Sequence, residues 1–549
     1  MTRSRAVALQ LFRTKSADHL IAEAEAPERQ MKRVLGPFAL TCIGIGAIIG
    51  TGIFALAGTA SAGEQTQVVG SIWKTPVLNF VQSWMTHAPL VFGRPGAGPA
   101  VMLSFVVAGI ACGFAALCYA ELAAMIPVSG SAYTYSYATL GEIVAWIIGW
   151  DLILEYAVGN MAVAVGWSGY FVRLCGSAHM PWILPSGIKF PLWAVNDYTT
   201  AKGIIAQGGD ALTNYSSASI PVVAGIPIAV NLPAFLIVAA VTALLIYGIR
   251  ESARTNTTIV IIKVAVVVFV ISFGAFMVNP GHWHPFAPSG IGGVMSGAAI
   301  VFFAFIGFDA VSTTAEETKN PQRDMPIGII ASLIICTLLY VLMAAVITGM
   351  RNYTTYLGDS AAVATAFSAY PRAQALISAG ALAGITSVLL VFQLGQPRIF
   401  MAMARDGLLW PYFAKIHPRF RTPYITTIWT GVIVGGVAML TDIGSLADLT
   451  NIGTLFAFVL VCLGVIILRR KEANRQRPFR VPFVPLFPIL GVFFCGVLML
   501  SLPIETWIRF FVWLAIGLCI YFFYGVRHSK LRRGVDIGET ENIFPPIEP

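Results

Sequence analysis

The sequence predicts an all-α polytopic membrane protein with twelve transmembrane helices, and three observations carry that expectation. First, 57% of the 549 residues are hydrophobic and only 11% are charged, whereas a soluble globular chain carries about 25% charged residues. So little charge cannot hold so much apolar surface in water, and lipid must be the main solvent. Second, apolar runs recur at the length of about 20 residues needed to cross a hydrocarbon core. Third, lysine and arginine concentrate on one side of those runs, as they do in oriented membrane proteins.

The runs fall at roughly 37–58, 100–126, 141–171, 230–249, 257–278, 293–315, 327–350, 374–402, 425–441, 450–469, 484–503 and 507–526. The eleventh contains Pro488 and the twelfth follows closely, so these two are expected to form a hairpin. The stretch before residue 34 is polar and basic, and the first run is too long for a signal peptide and has no cleavage site after it. It is expected to remain as a span. An even number of spans places both termini on one side. That side collects the basic N-terminal tail, Arg250, Arg254, Lys319, Arg323, Arg405, Lys415, Arg419, Arg421, the cluster 469–480 and the basic tail 527–533. The other side has only Lys74, Arg94, Arg173, Lys189, Lys202, Arg351, Arg372 and Arg509. The bias puts both termini in the cytoplasm.

The net charge of +9 is spread over short loops between apolar runs, which excludes a nucleic-acid-binding face. Seven of the eight cysteines lie inside apolar runs, and Cys175 has no loop partner, so no disulfide framework is expected. The two longest loops, 59–99 and 172–229, lie outside. Within the first, 77–92 is apolar but too short to span. It reads as a surface or re-entrant helix, or as an ordered flap without function.

The first span carries Gly44, Gly46, Gly50 and Gly52 within nine residues. Each glycine disfavours helix by about 1 kcal/mol relative to alanine, so the helix is invited to open here. Open backbone cannot face lipid and must line protein or a watery cavity. A small-residue packing seam is the competing reading. Gly46 and Gly50 satisfy the four-residue spacing of a seam, while Gly44 and Gly52 exceed it. Five spans later, 302–309 places Gly307 and Asp309 in the sixth span. Interrupted helices at matching positions of two halves point to a transporter site. Opened helices expose N–H groups suited to a carboxylate and C=O groups suited to an ammonium, the two ends of an amino acid zwitterion.

Charges inside spans cost about 2.5–3.5 kcal/mol each on insertion scales. They are Glu121, Asp151, Glu155, Lys263 and Asp309. Asp151 and Glu155 are four apart on one helical face and repel each other, so at least one needs a partner or a proton. Glu155 lies near mid-depth and serves substrate, proton or structural pairing; Asp151 and Glu121 read as structural. Lys263 is about six residues into the fifth span, roughly 9 Å from its inner end, so snorkelling to the cytoplasm competes with an internal role. No phosphate-binding loop, zinc-protease helix, serine-hydrolase elbow or potassium-filter motif is present. All seven histidines lie in loops or tails; His282 and His284 are two isolated metal donors at most. No cofactor and no metal are expected.

Three stretches resemble a bacterial member of the amino acid–polyamine–organocation superfamily, in its cationic amino acid transporter-like branch. Residues 11–16 look like the branch's N-terminal helix, 44–54 is similar to its first-span signature, and 303–321 is similar to its sixth span and following loop. The loop 59–99 is longer than is usual in that branch. The resemblance implies a five-plus-five inverted repeat of the sodium symporter-like fold with two helices appended. The divisions would be a cytoplasmic tail 1–36, repeats 37–278 and 279–473, helices 11 and 12 at 474–527, and a cytoplasmic tail 528–549. It implies that Ile48, Ile49, Gly50, Thr51 and Gly52 meet the α-carboxylate and amine through backbone, and that Phe303, Ala304 and Ile306 supply carbonyls or walls. It also places Lys263 where sodium sits in sodium-coupled relatives, with Asp309 assigned to coupling. The resulting expectation is a secondary active L-amino acid transporter of the bacterial plasma (inner) membrane. It would be driven by protons rather than sodium, with cationic substrates favoured by Glu155. An uncoupled exchanger or facilitator, and a sensor that binds without transporting, are the rivals.

Overall fold

A computed structural model of the chain describes residues 13–18, 21–22, 33–63, 72–87, 90, 92–128, 131–176, 188, 190–206, 220–247, 253–417, 420 and 422–533. Most of the basic N-terminal tail, the loop cations Lys189, Arg250, Arg419 and Arg421, and the end of the C-terminal tail lie outside these residues. So do parts of each long outer loop, 64–71 and 88–89 in the first and 177–187 and 207–219 in the second.

The first apolar run folds as two limbs. Helix α1 (Pro37–Ile48) starts with proline in its first turn, where a missing N–H costs nothing, and stops where Ile49 turns extended at φ −75°, ψ 97°. The chain re-enters helix through a π turn at Gly52–Leu56 and continues as α2 (Ala57–Ala62), with the limbs bent by 45°. Beyond it come α3 (Val77–Thr86), α4 (Val101–Met125), α5 (Ser131–Thr139), α6 (Glu142–Gly176), α7 (Leu232–Tyr247) and α8 (Ala253–Ala275). The sixth run repeats the interruption. Helix α9 (Gly290–Val301) passes into a 3-10 turn at Phe302–Phe305, the backbone opens at Ile306 (φ −61°, ψ 130°), and a second 3-10 stretch covers Asp309–Glu317. The remaining helices are α10 (Pro321–Met350), α11 (Pro371–Arg405), α12 (Tyr424–Ala438), α13 (Ile443–Lys471), α14 (Leu486–Leu500) and α15 (Ile504–Ile520).

Among the described residues, eight helical segments are long and apolar enough to cross a membrane, and the bent α1–α2 pair makes a ninth. Helices α7, α12 and α14 are apolar but have only 16, 15 and 15 residues. At 1.5 Å per residue they cover about 23 Å of a core about 30 Å thick. Each expected run therefore contains an apolar helix, three of them short. Two helices begin well before their apolar runs, α10 at Pro321 and α13 at Ile443. The first turn of α10 is polar, and before α13 the Asp442 carboxylate caps the helix, accepting from the Ser445 N–H at 2.8 Å. Hydropathy alone cannot see a helix that starts with a capping turn.

Packing surrounds the two interruptions. The long α6 lies against α11 and α13, while α10 lies against α1 and α4. The apolar stretch 77–92 forms a surface helix over 77–86 with no buried residue. It is stitched to the turn between α14 and α15, where the Val77 N–H donates to Leu502 O and the Ile504 N–H to Thr75 O, both at 3.2 Å. Loop 172–229 contributes a short hairpin, Val222–Val223 against Ile226–Pro227. At the end assigned to the cytoplasm, Lys15 Nζ pairs with Asp406 at 2.8 Å and is almost fully buried, so part of the N-terminal tail docks on the helical body.

Candidate functional site

The two interruptions cross. A Cβ placed on Gly52 would overlap Cα of Ala304 and lie 2.6 Å from its Cβ and 2.9 Å from its N. A Cβ on Gly307 would lie 2.9 Å from the carbonyl carbon and oxygen of Ala47 and 3.0 Å from its Cβ. Residues 47 and 52 thus meet 307 and 304, so the two breaks run past each other in opposite directions. Gly307 adds a backbone reason for its identity, since its φ of +120° lies where residues with a side chain are strained. Both glycine approaches are backbone on backbone, which fixes the separation of the breaks more tightly than side-chain packing would.

Lys263 reaches this crossing from α8. Its side chain is fully buried, and Nζ donates to Gly46 O at 2.8 Å and to Ile49 O at 3.2 Å. The stem lies against Gly384 of α11, where an added Cβ would sit 3.0 Å from Lys263 Cγ. The ammonium therefore points into the first break and not to the surface. Opened helix ends leave carbonyls without intrahelical partners, and a cation is the favourable occupant beside them.

Paired breaks in two apolar helices, with a buried lysine on the exposed carbonyls, are the arrangement that marks a candidate solute site in a membrane protein. Comparison with known proteins then decides the family. Residues 35–523 match the model of a family described as Amino acid permease. The chain belongs to this family, within the amino acid–polyamine–organocation superfamily. It is 45% identical to the branched-chain amino acid permease BcaP of Bacillus subtilis, over 95% of this chain and 99% of the relative. It is 41% identical to a methylthioribose transporter of the same organism, with the same coverage. The vacuolar cationic amino acid transporter 2 of Arabidopsis thaliana is 37% identical over 85% of this chain and 64% of the relative. The chain is a multi-pass membrane permease, and these relatives are transporters rather than enzymes.

Within the permease, Ile48, Ile49, Gly50, Thr51 and Gly52 line the first break and Phe303, Ala304 and Ile306 the second, all of them buried. Thr51 Oγ1 donates to Val163 O of α6 at 3.4 Å, and Gly166 makes room for its methyl group. A Cβ on Gly50 would face Val388 of α11, with Cγ2 at 3.1 Å. Glu155 lies on α6 as well. It is eight residues before Val163, about 12 Å back along α6. There its carboxyl has Thr454 of α13, Asp309 and Asp151 as neighbours, and the Thr454 hydroxyl donates to Thr450 O at 3.1 Å. Asp309 faces the Ser131 hydroxyl at 3.4 Å. Glu155, Asp309 and Asp151 thus form an acidic group beside the crossing, with Asp309 two residues beyond Gly307.

The other two intramembrane acids differ. Glu121 accepts from Arg469 at 2.6 and 3.0 Å and from the Val481 N–H at 2.7 Å, a bidentate structural pair. Both Asp151 oxygens are buried without a hydrogen-bond partner, and a Cβ on Gly453 would lie 3.2 Å from its carboxyl carbon. No grouping of three or more metal-ligating side chains occurs among the described residues.

Sequence reading missed two features. Arg94, in the outer loop, is almost fully buried, with Nη1 2.5 Å from Asp448 of α13 and Nε 3.4 Å from Ser296 of α9. A loop arginine and an acid 354 positions away give no sequence signal. Tyr340, in the middle of α10, places its hydroxyl 2.8 Å from Ile48 O and 2.9 Å from Ala304 O. A lone tyrosine in an apolar span reads as packing.

Proposed function

We propose that this permease carries L-amino acids across a bacterial plasma (inner) membrane by alternating access, as a proton-coupled secondary transporter with both termini in the cytoplasm. In this reading the three shorter apolar helices also cross the membrane. The chain then has twelve spans, a five-plus-five inverted repeat over 37–278 and 279–473, and two appended helices. The observation that carries the function is the crossing of the two breaks with Lys263 on the carbonyls of Gly46 and Ile49. Backbone groups of 48–52 and of Phe303, Ala304 and Ile306 meet the substrate's carboxylate and amine. Lys263 holds the first break as a bound cation would, with no sodium ion needed.

Two substrate classes compete for the side-chain end. Branched-chain neutral amino acids are favoured by Val388 beside Gly50 and by the 45% identity to a permease described as carrying them. Cationic amino acids are favoured by Glu155, which a long side chain entering between the breaks and α6 would approach. Radiolabelled leucine and lysine uptake into proteoliposomes, with an imposed pH gradient and with or without sodium, tests the whole reading. Accumulation driven by an acidic outside, independent of sodium, supports it. Uptake indifferent to the pH gradient, or strictly dependent on sodium, refutes the coupling; no uptake of any amino acid refutes the function.

A further inference from the structure

We propose that Tyr340 is a positioning residue of the substrate site, whose single hydroxyl holds the breaks of the first and sixth spans in the register at which both face one ligand. The inference rests on the amino acid site proposed above. Tyr340 is fully buried in α10, with Phe105 and Phe305 packed on its ring at centroid distances of 5.4 Å each. Its Oη lies 2.8 Å from Ile48 O and 2.9 Å from Ala304 O. These carbonyls stand at the last helical residue before the first break and in the 3-10 turn before the second.

A tyrosine hydroxyl has one proton to donate. Two acceptors within 3 Å must share it in a three-centre bond, or one takes it and the other goes without. The two breaks are therefore tied through one proton held by a helix belonging to neither. If either break withdraws, the proton passes wholly to the other and the tie is lost. Lys263 holds Gly46 and Ile49 in the same way from α8. Four carbonyls around the crossing are thus committed to the protein's own donors, which keeps the opened segments from collapsing onto each other. Tyr340 acts through backbone carbonyls of the two breaks and touches no side-chain pocket residue such as Val388, so its contribution is blind to the substrate's side chain.

That blindness supplies the test. Tyr340→Phe keeps the ring and its packing and removes only the proton. Binding of leucine, alanine and lysine to the purified full-length chain is measured by scintillation proximity, alongside thermal unfolding. The expected result is a common loss of affinity, on the order of five- to tenfold, for every amino acid the wild type binds, with their ratios unchanged. Val388→Ala should instead change the ratios. Phe305→Leu, which loosens the ring but keeps the hydroxyl, should lower stability with little effect on affinity. Wild-type affinity in Tyr340→Phe, or a loss confined to one side-chain class, overturns the proposal. A Tyr340→Phe chain that does not fold, or unfolds more than about 10 °C early, assigns the hydroxyl to stability and overturns it too. A wild-type chain that binds none of the three overturns the amino acid reading itself, a failure visible before any variant is made.

Discussion

Gly52→Ala should damage this permease far more than Gly50→Ala, although the two glycines are two residues apart in one break. At Gly52 the new methyl would overlap Ala304 Cα and stand 2.6 Å from Ala304 Cβ. Comfortable carbon–carbon contact begins at about 3.5 Å, so the two breaks must part by about 1 Å. The obstructing atoms are backbone and cannot rotate away. Overpacking of this kind costs about 1–3 kcal/mol, which is roughly a 5- to 150-fold loss of affinity if the strain falls on the bound state. At Gly50 the methyl meets only the Cγ2 of Val388 at 3.1 Å, with Cγ1 at 3.5 Å, and a few tenths of an ångström relieve it. Gly50→Ala should lose no more than about threefold, whereas Gly50→Leu should abolish uptake by filling the approach to the backbone. Ala304→Gly in the Gly52→Ala background removes the clash with Cβ but not the overlap with Cα, so rescue should be partial. Substrate binding and proteoliposome uptake, normalised to folded protein, measure all four. Wild-type affinity in Gly52→Ala, or a larger loss in Gly50→Ala, would refute the crossing as the site.

Lys263→Ala should lose most pH-driven uptake, at least tenfold, while retaining measurable binding, because the backbone site remains. A variant that transports normally and keeps its pH dependence would return the lysine to a structural role. Glu155→Gln should weaken lysine uptake more than leucine uptake; equal losses would assign the carboxylate to proton handling with Asp309. Arg94→Ala strands Asp448 in the interior, at a cost of about 3–5 kcal/mol, while Arg94→Met with Asp448→Leu should recover most of it. Melting temperatures of purified protein decide this, and a single variant as stable as the double would sink the pairing argument.

The apolar membrane helices were legible because solvent dictates them: runs of apolar residues that long leave few alternatives. The two breaks were legible for a different reason. Helix propensity penalises four glycines at Gly44, Gly46, Gly50 and Gly52 whatever their surroundings, and Gly307 beside Asp309 repeats the anomaly five spans on. The target of Lys263 was within reach, since a buried ammonium needs acceptors and the first break supplies them. What could not be read were contacts set by three-dimensional neighbours. Glu155 reads by depth as a substrate, proton or structural residue, and depth does not say which neighbours it meets. Only the contact of Thr51 with Val163 shows that α6 meets the break two turns away from Glu155. Arg94 looked like an ordinary outer-loop cation until the fold brought Asp448 to it, and Tyr340 had no signal beyond its hydroxyl.

The Lys263 geometry also bounds how much coupling a proton there can deliver. A neutral amine keeps two N–H donors, so losing the proton does not sever the bonds to Gly46 and Ile49; it removes their charge assistance. Hydrogen bonds to a charged group contribute about 1.5–3 kcal/mol against about 0.5–1.5 for neutral ones, so two such bonds lose roughly 2–3 kcal/mol together. That shifts a two-state equilibrium by about 30- to 150-fold. A full reversal from 1:99 to 99:1 needs about 5.5 kcal/mol. Protonation of Lys263 can therefore bias the first break without switching the transporter by itself. On the proposed site the remainder would come from a substrate whose carboxylate and amine engage both breaks at once. Coupling on this geometry requires both ligands, so a pH jump applied to substrate-free protein should move only part of the population. A complete conformational change driven by pH alone, read by a spectroscopic distance across the outer face, would show that the proton acts elsewhere. The group formed by Glu155, Asp309 and Asp151 would then be the place to look.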